Sequence, residues 1–157
     1  MRGHLSIIEV LEKKDVKNLS EMFRRYEQDL GFDLQFQNFS EELTSLEKMY
    51  GEPNGAAFLL MTDDKPVGCI AVRQLEGNIA EIKRMFIEKP WRGKGFGNSL
   101  LEKALEAAKK LGYKKARLDT LSYMQPAINS YKRFGFYEIP AYRHNPFDNA
   151  VFMEREL

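Results

Sequence analysis

The order of apolar runs and turn signals predicts an α/β (α+β) domain: a mixed antiparallel and parallel central sheet of about seven strands, flanked by about four helices. Three observations carry that expectation. Three strand-like runs, Ala56 to Thr62, Val67 to Leu75 and Ile79 to Ile87, are separated only by the turn clusters Asp63-Asp64-Lys65-Pro66 and Glu76-Gly77-Asn78, as in an antiparallel meander. The third run leads through a glycine-rich turn into an amphipathic helix and then into another apolar run, the order that a parallel crossover requires. The 157 residues contain no linker, internal repeat or low-complexity segment, so one domain over residues 1–157 is expected.

Taken in order, Leu5 to Val10 is a short β-rich run. Val16, Leu19, Met22, Phe23, Tyr26 and Leu30 then recur at helical spacing, and Gly31 stands where a helix stops. Phe32 to Phe39 is aromatic-rich and irregular. Ser40 with Glu41 and Glu42 behind it reads as an N-cap and acidic first turn of a second helix, ending by Gly51. After the meander, Leu100, Leu101, Ala104, Leu105, Ala108 and Leu111 form one apolar stripe, with Gly112 as its stop. Ala116 to Leu121 is the next strand, Pro126 opens a short helix closed by Gly135, and Phe136 to Ile139 and Ala150 to Glu154 complete the sheet. Met85, Phe86 and Ile87 break the alternation, so that strand is either covered on both faces or bulged.

Composition bounds the function. With 43% hydrophobic and 30% charged residues the chain is an ordinary globular protein, and a net charge of +1 gives no long-range attraction to nucleic acid or anionic membrane. The single cysteine, Cys69, sits in an apolar strand run and reads as a buried hydrophobe rather than a reactive thiol. No signal-peptide core or membrane-length apolar run is present, and a cytoplasmic location is expected. His4 and His144 lack metal-ligand spacing with any other His or Cys, so no metal is expected.

The chemistry-bearing stretch is Arg92-Gly93-Lys94-Gly95-Phe96-Gly97. Between a strand and a helix start, it offers unpaired backbone N–H groups, a favourable macrodipole and two basic side chains to an anionic ligand. A dinucleotide fingerprint counted from Gly93 and Gly95 would need glycine where Asn98 stands, and the P-loop pattern is absent. What fits is Arg-x-x-Gly-x-Gly, as Arg92, Gly95 and Gly97. With the strand Glu81 to Ile87 before it, Leu118-Asp119-Thr120 after it, and Tyr131-x-x-x-Gly135-Phe136 beyond, the chain resembles the GCN5-related N-acetyltransferase (GNAT) family along nearly its whole length. The run Glu81 to Arg84, with Tyr142, Asn145 and Pro146, further resembles a bacterial subgroup of small-molecule type.

That resemblance implies acetyl-CoA as co-substrate and a primary amine of a small molecule, such as an amino acid or polyamine, as acceptor. It also implies residue roles. Backbone groups of Met85 and Ile87, with Phe86 between them, would pair with the pantetheine arm. The N–H groups of Arg92, Gly93, Lys94, Gly95, Phe96, Gly97 and Asn98 would cradle the pyrophosphate, and Asn129 lies near a further cofactor contact. Tyr131 occupies the general-acid position beside the sulfur, and Glu81 is the candidate base, acting through water. A phenol near pKa 10 protonates a thiolate near 8.5 only uphill, so hydrogen bonding to the sulfur is the expected role.

Each of these residues also has a plainer reading. Glu81 is equally a partner for Lys83 or Arg84, Tyr131 a core aromatic, and Arg92 a support for the loop. Asp119 either caps a turn or faces the acceptor. Arg73 and Tyr26 read as surface and core residues, and Tyr142, His144 and Asn145 as a polar connecting loop. A protein amine as acceptor and a non-catalytic acyl-CoA sensor are the competing functions. A homodimer is admissible on the frequency of two-fold assemblies.

Overall fold

The computed structural model describes residues 5–31 and 39–157. His4 and the aromatic segment 32–38 lie outside the described residues. Strands β1 (Leu5–Glu9), β2 (Ala56–Thr62), β3 (Lys65–Glu76), β4 (Ile79–Ile87), β5 (Lys115–Leu121), β6 (Tyr137–Ile139) and β7 (Ala150–Glu156) form one seven-stranded sheet in the order β1-β2-β3-β4-β5-β7-β6. All neighbours are antiparallel except β4 and β5. The helix α4 (Phe96–Lys110) supplies the crossover between those two, as the strand–loop–helix–strand order predicts.

The described residues hold five α-helices, one more than the sequence suggests. Helix α1 (Lys13–Leu30) carries the expected stripe and ends at Gly31 in the left-handed conformation, φ 78°. Its start is set by a capping box between Glu12 and Asp15. The predicted second helix divides into α2 (Phe39–Thr44) and α3 (Leu46–Met49), because Ser45 leaves helical geometry at φ −125°, ψ 23°. Helix α2 already includes Phe39, which is buried, so Ser40 sits inside the first turn and is not its cap. Helix α5 (Gln125–Arg133) has Pro126 in its first turn, where a missing N–H costs nothing.

Both faces of the sheet are covered, which explains the near-continuous apolar runs. Along β2, Ala56, Phe58 and Leu60 pack in the core that holds the α4 stripe, while Ala57, Leu59 and Met61 pack in the core that holds α1 residues Leu19, Met22 and Phe23. The break in alternation on β4 has both of its possible causes. Phe86 faces the α1 core and Met85 and Ile87 the α4 core, while the register against β3 slips between Cys69 and Ala71. Arg84 sits at that slip with φ +59°, a conformation that costs a non-glycine residue about 1–3 kcal/mol.

A buried fork holds Arg84 there. Its Nε and Nη2 donate to the two oxygens of Glu42, at 2.9 and 2.8 Å. Its guanidinium carbon lies 5.7 Å from the Tyr26 ring centroid and 5.2 Å from that of Phe39. The Cys69 thiol donates to the Arg84 carbonyl at 3.2 Å. Burial alone would raise the Glu42 pKa, but the Arg84 fork and nearby Lys83 outweigh it and hold the carboxyl below its ordinary value.

Two consequences follow for stability. Glu42→Gln leaves a buried guanidinium without its anion and should lower the urea unfolding free energy by about 3–5 kcal/mol. A depressed native pKa contributes stability that is fully present above the unfolded value, about 4.3, and is lost as pH falls through the native one. The acid limb of the wild-type stability curve should therefore be shallower in Glu42→Gln, as equilibrium urea titrations at several pH values would read.

Candidate functional site

Strands β4 and β5 are paired only from Ile79 to Glu81 against Lys115 to Arg117. Beyond Glu81 they diverge, and the cleft between them opens toward their C-terminal ends. Two connected cavities fill it. One, of about 570 Å³, runs along the glycine loop, and the other, of about 400 Å³, penetrates between α1, β4, β5 and α5. They share the β4 segment Met85-Phe86-Ile87, with Arg92, Pro126 and Ala127.

The loop cavity gathers nearly the whole of the sequence-predicted binding set: Met85 to Ile87, the glycine loop, Asn98 and Asn129. Lys94 is exposed and does not line it. Gly93 and Gly95 take positive φ, 75° and 87°, and Gly95 is the residue from which α4 starts. A Cβ at Gly93, Gly95 or Gly97 would meet no atom within 4 Å, so the loop's own packing does not require glycine at Gly97. The first residues of α4, whose N–H groups have no acceptor inside the helix, line this cavity together with the loop glycines.

Arg92 does what its plainer reading suggests. Its Nε donates to the Ile87 carbonyl at 2.6 Å, its Nη2 lies 3.1 Å from Asp29 Oδ2 on α1, and its guanidinium lies 5.6 Å from the Phe86 ring centroid. Arg25 on α1 likewise pairs with Glu88, just after β4. The loop, the end of β4 and α1 are thereby tied together.

The deeper cavity contains Tyr131, Asp119, for which the sequence admits an acceptor-facing role, and Lys83, to which it assigns none. Tyr131 is buried on α5, its ring edge-on to Phe136 at 5.9 Å. Burial, with Tyr26 and Asp119 nearby, pushes its phenol well above the ordinary value. A higher pKa makes it a poorer proton donor in the full sense and favours the hydrogen-bonding role. Asp119 on β5 and Lys83 on β4 also line this cavity. Desolvation raises the Asp119 pKa despite Lys83, Arg84 and the Asn145 side chain, and its Oδ2 is buried without a hydrogen-bond donor. Burial, together with Arg84, lowers Lys83 to about 8.

Glu81 is not brought into either cavity. At its level β4 is still paired with β5, and the carboxylate is fully buried. Arg73 Nε donates to Oε1 at 2.9 Å, the Tyr142 hydroxyl donates to Oε2 at 2.7 Å, and Arg143 pairs with the same oxygen. Oε1 is thus committed to β3 and Oε2 to the loop 140–149, which in turn supplies Asn145 and Phe147 to the deeper cavity. The sequence signal for this cluster was present: Glu81, Lys83 and Arg84 place three charges within an otherwise apolar strand, and buried charges must find partners.

A divergent β4–β5 cleft, a bulged β4 and a glycine loop thus meet at the start of α4. Residues 17–136 match the acetyltransferase (GNAT) family. The protein is a GNAT acetyltransferase. It is 35% identical over 159 residues to an uncharacterised N-acetyltransferase of Schizosaccharomyces pombe, a match covering 99% of this chain and 96% of that one. Its fold is similar to the crystal structure of a GNAT-family acetyltransferase from Staphylococcus aureus, with TM-score 0.79 at 23% identity over 98% of this chain and 99% of that one. It is also similar to PaiA N-acetyltransferase from Thermoplasma acidophilum, solved in complex with coenzyme A, with TM-score 0.71 at 18% identity over 98% and 99% of the two chains. Family membership makes the chain an acyltransferase.

Cys69, fully buried beneath the GNAT bulge, has its thiol pushed up by burial. It should remain unlabelled by an aromatic disulfide reagent in the native protein and react fully in denaturant. Rapid native labelling would show that the β3–β4 bulge opens.

Proposed function

We propose that this enzyme transfers the acetyl group of acetyl-CoA to a primary amine of a small molecule, with both substrates held together in the cleft. The observation that carries the reading is the pair of connected cavities meeting along Met85-Phe86-Ile87. One offers a glycine-lined run of helix N-terminal N–H groups, suited to a pyrophosphate; the other is a deeper space of a size that admits a small acceptor. No helix among the described residues is long and apolar enough to cross a membrane. The single buried cysteine fits a cytoplasmic setting.

Acetyl-CoA supplies an activated thioester. The chain's part is to hold it and to place charge where the reaction develops it. Gly93, Gly95, Gly97 and Asn98 line the channel for the phosphates, and backbone groups of Met85 and Ile87 border the path of the pantetheine arm. Beyond Glu81 the β5 side of β4 has no strand partner, while Phe86 and Ile87 stay paired with β3 on the other side, which leaves a backbone N–H near Phe86 or Ile87 available to the developing oxyanion. Tyr131 donates a hydrogen bond to the leaving sulfur. Glu81 enters by fixing loop 140–149, and the carboxylate that lines the acceptor cavity is Asp119.

Tyr131→Phe should reduce kcat by about 10- to 100-fold, the worth of a hydrogen bond to a charged group, with the acetyl-CoA Kd within about 2-fold of wild type. Stopped-time thiol release and calorimetric titration would measure the two, and an unchanged kcat would remove Tyr131 from the reaction. Gly97→Val places a side chain in the phosphate channel at a position where the fold has room. It should leave the melting temperature nearly unchanged and weaken acetyl-CoA by about 10-fold or more. Wild-type affinity in that variant would argue against the loop as the phosphate site.

A further inference from the structure

The geometry points to an acceptor that carries both an amine and a carboxylate, an amino-acid-like zwitterion, with its amine at Asp119 and its carboxylate at Lys83. This inference rests on the acetyl-transfer reading and specifies its second substrate.

Asp119 and Lys83 lie on opposite walls of the deeper cavity, one on β5 and one on β4, where the two strands diverge. Each feels the other's charge, yet they make no ion pair. Asp119 Oδ2 is buried without a donor, a destabilising arrangement in a protein that does not use it. An acceptor ammonium or amine N–H satisfies it. On the other wall, the Lys83 side chain is 5% exposed and its nearest carboxylate, Glu42, is 3.6 Å away. Both oxygens of that carboxylate are already taken by Arg84 at shorter distances. Lys83 is thus held near an anion without being closely satisfied by it, and an acceptor carboxylate supplies the missing acceptor oxygens.

The charge inventory selects between the two small-molecule classes left open by the sequence. Among the described residues, the cavity is lined by the cations Lys83, Arg84 and Arg92 and by the carboxylates Asp29 and Asp119. Asp29 is paired with Arg92, and Arg84 with Glu42 just outside the lining, which leaves Lys83 and Asp119 facing the occupant. A diamine brings its second positive charge toward Lys83 and Arg84, whereas a zwitterion matches both walls.

The proton accounting is simple. The bound ammonium gives one proton to Asp119, which passes it to solvent. The freed nitrogen forms its bond to the acetyl carbonyl carbon as the carbon–sulfur bond breaks. The nitrogen's second released proton finishes on the coenzyme A thiol, the sulfur being held by the Tyr131 hydroxyl meanwhile. Asp119 must be ionised to begin. Its raised pKa reflects desolvation among Lys83 and Arg84 of β4, Asn145 of loop 140–149, and the phenols of Tyr26, Tyr131 and Tyr142, whose own values it raises. Activity at low acceptor concentration therefore falls as pH drops through that pKa.

The test is thiol release from acetyl-CoA with a panel of L-amino acids, the carboxamide of each, and linear diamines. For the wild type we expect kcat/KM at least about 10-fold higher for an amino acid than for its carboxamide, with diamines no better than the carboxamides. Lys83→Met should bring the acid-to-carboxamide ratio close to one. Asp119→Asn should lower both by about 100-fold or more and abolish the acidic limb of the kcat/KM profile, with the acetyl-CoA Kd unchanged. A residue that only shaped the cavity would not move that limb. Carboxamides or diamines used as well as the acids by the wild type would overturn the zwitterion inference and leave the acetyl-transfer reading standing; this comparison needs no variant to fold. No thiol release from any amine, with acetyl-CoA still bound, would overturn both.

Discussion

The Glu42 fork on Arg84 is the constraint on which the rest of the site depends. A residue at φ +59° in the middle of a sheet does not stay there unaided, and here the restraint comes from α2, across the sheet face. By pinning the bulge, the fork decides which way every β4 residue after it points. Phe86 turns to the α1 core, Met85 and Ile87 to the α4 core, and the end of the strand swings clear of β5. A buried ion pair adds little net stability over an apolar substitute, but losing one partner is expensive. Its value here is positional.

A second buried cluster does for the loop what the first does for the strand. Glu81 gathers Arg73, Tyr142 and Arg143, and so fixes a ten-residue connection that would otherwise have few apolar anchors. The Tyr142 ring also meets Phe152 edge-on at 5.1 Å and stacks beneath Arg117 and Arg143. The carboxylates of Glu81 and Asp119 thus differ in company: donors hold both oxygens of the first, whereas Oδ2 of the second is buried without one. Company, not residue type, separates the two.

Much of the fold was legible because local signals agreed with the global arrangement. The limits of β4, the α4 stripe and the stop at Gly31 follow from periodicity and glycine placement. Ser45 was less legible, since nothing in its own residue type requires a break between α2 and α3. In the site, the glycine loop was readable because backbone conformation is written locally in glycines, two of which take positive φ here. The partners of Glu81 were not legible because Arg73, Tyr142 and Arg143 come from two other segments, 8, 61 and 62 residues away.

The sequence by itself determined the family, the strand–loop–helix cradle and the position of Tyr131, all features carried by short contiguous spacings. It could also show that charges lay inside a buried strand. Only the tertiary structure decided how those charges pair: Glu42 crosses to Arg84 and Lys83, Arg73 and Arg143 close on Glu81, and Lys83 and Asp119 both come to line the cleft. The reason is range. Backbone geometry is set by neighbours a few residues apart, whereas the partner of a buried charge is whichever opposite group the folded chain brings within reach.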